Sequence, residues 1–187
     1  MHDAISLHRQ ATNSATKSTQ RLVVLGLGTN LGNRLALLTS AGEQIAALGV
    51  AQGAASLWES DAVGPPQDRY WNTAVALLSE LSAGDLVGAI LAIEKRLGRD
   101  RKSGERWGPR TIDIDLLWID GEHSAAAHAF VPHPRLHERS FALTPLLEVA
   151  PFAVDPRTGQ AFLPAPDPPL TRIGFGYTTP IRWELRR

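Results

Sequence analysis

The stretch from Thr111 to Ile119 constrains the fold most, because its side chains alternate with the period of a β-strand. One predicted face carries Ile112, Ile114, Leu116 and Trp118, and the other carries Thr111, Asp113, Asp115 and Leu117. Asp113 and Asp115 therefore lie side by side, roughly 7 Å apart at their Cα atoms. Two like charges this close are costly to bury, so the pair predicts a divalent cation as the neutralising group. A solvated strand face with surface ion pairs is the alternative.

A basic loop precedes this strand. Residues 98–110 read GRDRKSGERWGPR, with cations at Arg99, Arg101, Lys102, Arg106 and Arg110. Guanidinium groups bind phosphate oxygens through paired hydrogen bonds. Basic loops are usually only solvated, but this one leads directly into the acidic strand. Carboxylates for a metal beside cations for an anion predict a metal–polyphosphate site.

Composition excludes several classes of protein. A length of 187 residues favours one domain, and 43% hydrophobic residues with a formal net charge of zero indicate a globular chain. Neutrality argues against a non-specific nucleic-acid binder. Without cysteine there is no disulfide or thiolate metal site, which is compatible with the cytoplasmic location that we expect. No apolar run approaches the ~20 residues that span a bilayer, so no membrane partner is expected.

The predicted elements alternate in an order typical of a two-layer fold. Strands are predicted from Arg21 onward, over residues 54–59 and 70–78, and in the acidic stretch; helices are predicted at about 34–48, 82–97 and 144–149. The GLGTNLGNR segment is interpreted as a strand-to-helix turn with Asn33 as the helix N-cap, and Ser82 with Asp85 resembles a capping box. This order predicts an α+β ferredoxin-like sandwich, with a mainly antiparallel sheet and helices packed on its faces.

The two ends of the chain differ in composition from its middle. Residues 1–20 are rich in Ser, Thr, Ala and Asn, which predicts a flexible tail. A folded domain is predicted over residues 21–162. It ends in a possible hairpin at 153–162, with a turn at Asp155 to Gly159. Residues 163–187 are rich in proline and predict a poorly packed extension.

Several polar and aromatic side chains could bind a flat, polar ring. Asn72 must satisfy both ends of its amide, and a planar heterocycle or a backbone segment would serve equally well. Tyr70, Trp107 and Phe141 could stack on a ring, although aromatic side chains are more often part of a core. Pro134 interrupts any helix between His133 and His137, so a substrate hydrogen bond or a surface role is favoured over a zinc site.

Taken together, these motifs resemble those of the 6-hydroxymethyl-7,8-dihydropterin pyrophosphokinase family of folate biosynthesis. The resemblance covers about residues 23–162. It rests on GLGTNLGNR, Tyr70-Trp71-Asn72, Glu94 with Gly98-Arg99, the run RWGPRTIDIDLL from Arg106, and Val131-Pro132-His133-Pro134 followed by Arg139 and Phe141. One segment departs from the family pattern. Where relatives commonly carry Thr-x-Pro, this chain has Ser60-Asp61-Ala62, followed by Val63 and Gly64.

The resemblance implies an ATP-dependent diphosphotransferase that moves the terminal pyrophosphoryl group of ATP to the pterin hydroxymethyl oxygen and releases AMP. The implied partners are ATP and 6-hydroxymethyl-7,8-dihydropterin, with no nucleic acid and no obligate protein partner. Two Mg²⁺ ions are expected to arrive with ATP. The general base stays open between Asp115 and simple coordination of the hydroxyl to a metal ion.

The resemblance also implies roles for individual residues. The metal ligands would be Asp113 and Asp115, and the catalytic residues would be Arg99, Arg110 and Asp115. The pterin would contact Val63, Tyr70, Asn72, Trp107 and Phe141. The residues that contact ATP would be Glu94, Arg99, Arg101, Lys102, Arg110, His133 and Arg139. Two alternatives remain: another magnesium-dependent nucleotidyl or phosphoryl transferase, and a non-catalytic module that only binds Mg-ATP. The nucleotide product distinguishes the three.

Overall fold

A seven-stranded antiparallel sheet lies at the centre of the structure, a computed structural model that describes residues 20–99, 108–126, 128–164 and 170–186. The strands are β1 (Arg21–Thr29), β2 (Val50–Ala54), β3 (Leu57–Ser60), β4 (Tyr70–Ser79), β5 (Asp113–Ile119), β6 (Thr171–Thr178) and β7 (Ile181–Leu185). The helices are α1 (Arg34–Ile45), α2 (Ala83–Arg96) and α3 (Ser140–Val149), with 3-10 turns at Ala46–Leu48 and Leu136–Glu138. The tail predicted over residues 1–20 lies outside the described residues except for its last position.

The strand order along the sheet is β5-β1-β4-β3-β6-β7. β1 pairs along one edge of β4, while β2 and β3 pair in succession along the other edge. All pairings are antiparallel, which confirms the predicted α+β ferredoxin-like class. Within the described residues, none of the helices has the length and apolar character needed to cross a membrane.

Helices cover both faces of the sheet. One core joins α1 and α2 to the sheet through Val23, Leu25, Leu38, Ile45, Val75, Leu77, Leu86, Ile90, Ile93, Ile112 and Ile114. The second core joins α3 to the opposite face through Val24, Leu117, Trp118, Leu136, Leu143, Leu146 and Phe162. Burying each large apolar side chain contributes about 1.5–3 kcal/mol, so both helix layers are fixed to the sheet.

The helix starts follow the predicted capping chemistry. The Asn33 side chain accepts a hydrogen bond from the Ala36 N–H at 3.2 Å, and the Ser82 hydroxyl accepts one from the Asp85 N–H at 3.1 Å. Each bond satisfies an N–H group of the first helical turn that has no partner within the helix. Helix α3 begins at Ser140, one turn before the predicted start near residue 144. Ala142 and Leu143 of the added first turn pack in the second core, which stabilises the helix upstream of the predicted start.

The strand-to-helix turn predicted for GLGTNLGNR is shorter than expected, because Gly26 and Gly28 lie inside β1 and only Gly32, with a φ of 73°, lies in the turn. Gly26 and Gly28 pair with β4 on one side and with β5 on the other. Leu25 and Leu27 point into the first core, and the period of two places both glycines on the opposite face. The turn begins only after Thr29.

The predicted faces of β5 hold as far as Leu116 and then change. Val24 pairs with Trp118, whereas Leu25 pairs with Leu116, so Leu117 is an extra residue in a β-bulge. Trp118 therefore joins Leu117 in the second core instead of sharing the face of Ile114, contrary to the prediction. The bulge lies beyond the acids, so Asp113 and Asp115 still share a face.

The region predicted as one strand at residues 54–59 contains parts of two. β2 ends at Ala54 and β3 begins at Leu57. The Thr73 hydroxyl donates a hydrogen bond to the Ala55 carbonyl at 3.0 Å, and the Ala55 N–H donates to Ala74 at 2.8 Å. The break lets β2 and β3 bond to different parts of β4. Further along, a single bridge between Val154 and Ala161 closes the turn predicted after Asp155.

The prediction of a poorly packed C-terminal extension is wrong for residues 170–186. β6 pairs with β3, and β7 pairs with β6. Ile181 and Trp183 are buried against α1, and the Trp183 indole N–H donates to Ala55 O and to Thr73 Oγ1, each at 3.0 Å. Burial here depends on partners far away in sequence, which the proline content of the tail does not reveal. The boundaries of the domain predicted over residues 21–162 stay a prediction.

Candidate active site

A cavity of about 430 Å³ opens on the face of the sheet that carries α3. Its lining includes Gly26, Gly28, Ser60, Asp61, Val63, Tyr70, Asn72, Arg99, Arg110, Asp113, Asp115, His133, Arg135, Glu138, Arg139, Ser140 and Phe141. This volume lies within the range of small-molecule sites, roughly 300–1,000 Å³. Cations and carboxylates gather around β5, whereas aromatic and amide groups come from β4 and the start of α3.

The cavity brings together most of the predicted site residues. The members that line it are Val63, Tyr70, Asn72, Arg99, Arg110, Asp113, Asp115, His133, Arg139 and Phe141. Glu94 does not line the cavity and lies behind Arg99. Arg101, Lys102 and Trp107 lie outside the described residues.

The floor of the cavity is the glycine face of β1. A Cβ atom built on Gly28 would lie 3.5 Å from Asn72 Oδ1 and 4.0 Å from Asp113 Cβ. Glycine at this position therefore leaves open the space between the amide on β4 and the carboxylate on β5. Leu117 packs over the neighbouring Gly26, where an added Cβ would approach Leu117 Cδ1 to 2.9 Å.

The two β5 carboxylates have different surroundings. Asp113 forms ion pairs with both Arg99 and Arg110. Asp115 forms a longer ion pair with the Arg139 guanidinium, at 3.8 Å, and its side chain is 40% exposed. The pKa of Asp115 is raised to about 6, mainly by burial and also by the Asp113 charge, against the opposing effect of Arg139. Asp115 is therefore the less neutralised carboxylate of the two among the described residues.

This donor set fits a magnesium ion. Mg²⁺ is usually bound by one or two carboxylates, with phosphate oxygens and waters completing its octahedron. Asp113 and Asp115 supply two carboxylates on one strand face. Among the residues that the structure describes, no group of three or more His, Asp and Glu side chains could hold a metal. Any remaining ligands would come from a bound substrate or from water.

Arg99 is held in place by a buried acid. Glu94 is 1% exposed, accepts a hydrogen bond from the Ile114 N–H at 2.8 Å, and pairs with Arg99. Burial lowers the pKa of Arg99, but the Asp113 and Glu94 carboxylates more than offset this, and the net change is upward. The guanidinium therefore stays charged at the cavity wall. Glu94 ties this arginine on the α2 side to the backbone of β5.

His133 and Arg139 line the cavity from the segment between β5 and α3. The pKa of His133 is lowered to about 4, mainly by burial and also by the neighbouring charges of Arg139 and Arg135, so the imidazole is neutral at pH 7. Its Nδ1 accepts a hydrogen bond from the Arg135 N–H at 3.2 Å, which places the ring proton on Nε2. Burial also lowers the pKa of Arg139. An arginine nevertheless remains charged at any physiological pH.

The other end of the cavity presents an amide and two aromatic rings. Asn72 is 5% exposed, and its Nδ2 donates to Ser60 Oγ at 3.0 Å. Its Oδ1 accepts no hydrogen bond from the described residues and faces the space above Gly28. Burial raises the pKa of Tyr70, and its hydroxyl donates to the Gly108 carbonyl at 3.3 Å. Phe141 lines the cavity with Tyr70, beside the Arg139 guanidinium, which lies 5.6 Å from its ring centroid.

Asn30 joins the two loops that border the cavity, a role that the sequence did not reveal. Its Oδ1 accepts from the Arg110 N–H at 2.8 Å, and its Nδ2 donates to Gln67 Oε1 at 3.0 Å and to Asp68 O at 2.9 Å. The residue is 2% exposed. The sequence shows only a polar residue directly after a predicted strand, at a position that belongs to the predicted strand-to-helix turn. Arg135, Glu138 and Ser140 were also missed as lining residues.

Comparisons with known proteins agree with this geometry. The family model for 7,8-dihydro-6-hydroxymethylpterin-pyrophosphokinase matches residues 24–151. The chain is 42% identical over 142 residues to the Synechocystis 2-amino-4-hydroxy-6-hydroxymethyldihydropteridine pyrophosphokinase, covering 75% of this chain and 72% of that protein. It is also 42% identical over 136 residues to the Methylorubrum extorquens protein of the same name, covering 70% of this chain and 83% of the relative.

A solved structure supports the fold. Plasmodium falciparum HPPK-DHPS, solved with SDX-DHP, superimposes with a TM-score of 0.61 at 11% identity. The match covers 88% of this chain but only 49% of that longer chain. At this identity the likeness concerns the fold alone.

Proposed function

Because the chain belongs to the 7,8-dihydro-6-hydroxymethylpterin-pyrophosphokinase family, we propose a division of roles within its cavity for the reaction of this family. The enzyme is an ATP-dependent diphosphotransferase of folate biosynthesis, which transfers pyrophosphate from ATP to hydroxymethyldihydropterin. One observation carries the proposal. Asp113 and Asp115 share one strand face in a cavity with four arginines, while an amide and two aromatic rings line the same cavity.

The carboxylate end is proposed to bind the polyphosphate. Asp113 and Asp115 would hold Mg²⁺, which when bound neutralises phosphate charge and orients the oxygens. Arg99, Arg110 and Arg139 line the same end, and their forked donors suit phosphate oxygens. Arg99 and Arg110 both pair with Asp113, so these cations lie together at the site.

Positioning is the main contribution of these side chains. Phosphoryl-type transfer requires alignment of the attacking and leaving oxygens and compensation of negative charge, with little covalent chemistry by the protein. Arg99 is fixed by Glu94, so its charge is preorganised rather than recruited on binding. The neutral His133 offers Nε2–H as a donor to a phosphate oxygen. Arg101 and Lys102, which lie outside the described residues, are proposed to add further positive charge.

The opposite end is proposed to bind the pterin. Asn72 Oδ1 can accept a hydrogen bond from a ring amino or amide N–H group, while Ser60 holds the other end of the side chain. Tyr70 and Phe141 supply aromatic surface for the flat ring, and Val63 supplies apolar surface from the β3–β4 loop. Trp107, which lies outside the described residues, is proposed to cover the pterin from the basic loop.

The reaction products test the function. The protein is incubated with Mg²⁺, ATP and 6-hydroxymethyl-7,8-dihydropterin, and the nucleotides are quantified by chromatography. We expect AMP that forms only when the pterin is present. ADP as the product would indicate a phosphoryl transferase, and pyrophosphate release would indicate a nucleotidyl transferase. No turnover would indicate a binding module, so each of these outcomes would overturn the proposal.

A pair of variants tests the carboxylate. Asp115→Asn keeps the shape of the side chain and removes its charge, and we expect a loss in kcat of about 100-fold or more, as for loss of a preorganised charge at a reacting centre. Asp120→Asn is the matched control, because Asp120 follows the same strand and is exposed outside the cavity. Equal activity of the two variants would contradict the assignment. Thermal unfolding by circular dichroism verifies that both variants fold.

Other features remain predictions. Two Mg²⁺ ions, a cytoplasmic location and the absence of an obligate protein partner are proposals that rest on the sequence resemblance. Equilibrium dialysis with Mn²⁺ in place of Mg²⁺, with a non-hydrolysable ATP analogue present, would count the ions.

A further inference from the structure

The loop between β3 and β4, residues 61–69, forms one wall of the cavity through Asp61 and Val63. Among the described residues, positions 61–69 form no backbone–backbone hydrogen bond outside the strands. Pro65 and Pro66 have no N–H to donate, and Gly64 has a φ of 114°. The conformation of this wall therefore depends on side-chain contacts.

The C-terminal end of the loop is fixed from outside. The buried Asn30 amide donates to Gln67 and to the carbonyl of Asp68. Arg34 of α1 donates to the carbonyl of Arg69 at 3.1 Å, and its guanidinium lies 4.0 Å from the centroid of the Trp71 ring. These contacts attach the end of the loop to the β1–α1 junction, but none of them reaches its first residues.

Arg69 connects the first part of the loop to this fixed end. Its Nε donates to Asp61 Oδ1 at 2.9 Å, and its Nη1 donates to Glu59 Oε2 at 2.7 Å. The other Glu59 oxygen accepts from the Trp71 indole N–H at 3.3 Å. One guanidinium thus joins β3, the first residue of the loop and the last residue of the loop.

We propose that Arg69 is a positioning residue for the pterin, because its guanidinium closes the loop and holds Asp61 and Val63 against the cavity. The inference rests on the proposed function, which places the pterin at this wall. Asp61 and Val63 are 82% and 58% exposed, so little else restrains them. When the loop is free, substrate binding must order these residues, and the lost conformational entropy weakens binding.

The exposure of the Arg69 ion pairs limits how strongly they can affect pterin binding. The Arg69 side chain is 45% exposed, so its ion pairs are individually weak and are screened by salt. The pterin itself is uncharged, so added salt should weaken its binding mainly through this contact. ATP binds at the opposite, arginine-rich end and does not require the loop.

Steady-state kinetics of three proteins test the inference: wild type, Arg69→Met and the control Arg182→Met. Arg182 is a similarly exposed arginine of β7 that pairs with Glu184 at 3.5 Å, outside the cavity. Loss of two partly exposed ion pairs should raise the pterin KM about three- to tenfold in Arg69→Met. We expect kcat and the ATP KM to stay at wild-type values, and Arg182→Met to match wild type. An unchanged pterin KM, or equal changes for both substrates, would overturn the inference.

A double-mutant cycle separates positioning from direct contact. If Asp61 acts only through Arg69, Asp61→Asn should raise the pterin KM and leave the ATP KM and kcat unchanged. The double variant should then have the same pterin KM as Arg69→Met. If the KM increases of the two single variants multiply in the double variant, Asp61 binds the substrate independently and the inference is overturned. Arg69→Lys should restore part of the affinity, because an ammonium group retains the charge but not the fork.

Backbone order parameters from NMR relaxation distinguish failure of this inference from failure of the proposed function. We expect lower order parameters in the non-proline residues of 61–68 in Arg69→Met, and wild-type values there in Arg182→Met. Unchanged order parameters in Arg69→Met would show that the guanidinium does not close the loop, whatever reaction the cavity catalyses. If wild type lacks pterin-dependent AMP formation, the proposed function fails, and the role toward the pterin fails with it.

Discussion

Replacing Asn30 with alanine should loosen both loops that border the active site. The side chain makes three hydrogen bonds to the two loops, at 2.8, 2.9 and 3.0 Å. It is 2% exposed, so water cannot replace these bonds without rearrangement. A typical hydrogen bond contributes about 0.5–1.5 kcal/mol net, and a buried group left unsatisfied costs about 1–3 kcal/mol. We therefore expect Asn30→Ala to lower the free energy of unfolding by about 2–4 kcal/mol.

The matched control is another asparagine of the same turn. Asn33 caps α1 through one hydrogen bond, to the Ala36 N–H at 3.2 Å, and is exposed. Asn33→Ala should cost about 1 kcal/mol, as for other N-caps, and should leave activity unchanged. Asn30→Ala should lower kcat as well as stability, because the Arg110 N–H would lose its partner. Of the two bonds that join the Arg110 backbone to Asn30, only the 3.1 Å bond from the Asn30 N–H to the Arg110 carbonyl would remain.

Chemical denaturation gives the free energies, and hydrogen exchange locates the change. We expect faster exchange at the Arg110 amide of Asn30→Ala, because this N–H donates to the Asn30 side chain in the wild type. Asn30→Asp should leave exchange at the Arg110 amide near the wild-type rate, because the aspartate keeps an oxygen that accepts from this N–H. It should still lose stability, because the two bonds donated to residues 67 and 68 are lost. A stability loss no larger than that of Asn33→Ala, with unchanged exchange at Arg110, would refute the junction role of Asn30.

Two further predictions concern stability. Trp183→Ala should lower the free energy of unfolding by about 3–5 kcal/mol in denaturant titrations, because it removes a buried indole from the β7–α1 contact. Phe175→Ala is the control, because the Phe175 side chain is exposed. An equal loss of stability in the two variants would contradict this packing. The Asp155 carboxyl is buried, and hydrogen bonds from Arg157 hold its pKa well below the usual range against the opposing effect of burial. It therefore contributes stability that is present above its unfolded-state pKa of about 4 and lost as the pH falls through the lower folded pKa. Asp155→Asn should show a shallower loss of thermal stability below about pH 4 than wild type, and equal slopes would refute the assignment.

Local patterns were enough to predict most of the central fold. Alternation identified the paired acids of β5, and the side-chain oxygens of Asn33 and Ser82 marked the starts of α1 and α2. These features depend on residues within a few positions of one another, so the sequence displays them directly. The placement of Asp113 and Asp115 on one face follows from the strand period alone.

The predictions that were wrong depend on contacts between distant parts of the chain. A bulge moved Trp118 to the other face of β5, and the glycines of β1 became the floor of a cavity. Residues 170–186 entered the sheet although their composition indicated poor packing. In each case the outcome depends on which strand lies alongside, and that choice is made by contacts between distant segments.

The sequence by itself therefore determined the elements, the shared face of the two acids and the resemblance to a family. Only the tertiary structure decided which groups meet around them. Asn30 reaches a backbone amide 80 positions away, and Trp183 bonds to Thr73 across 110 positions. The Arg69 guanidinium joins two carboxylates that the β3–β4 pairing brings near it. Such contacts have no local signature, because their energy appears only after the sheet has assembled.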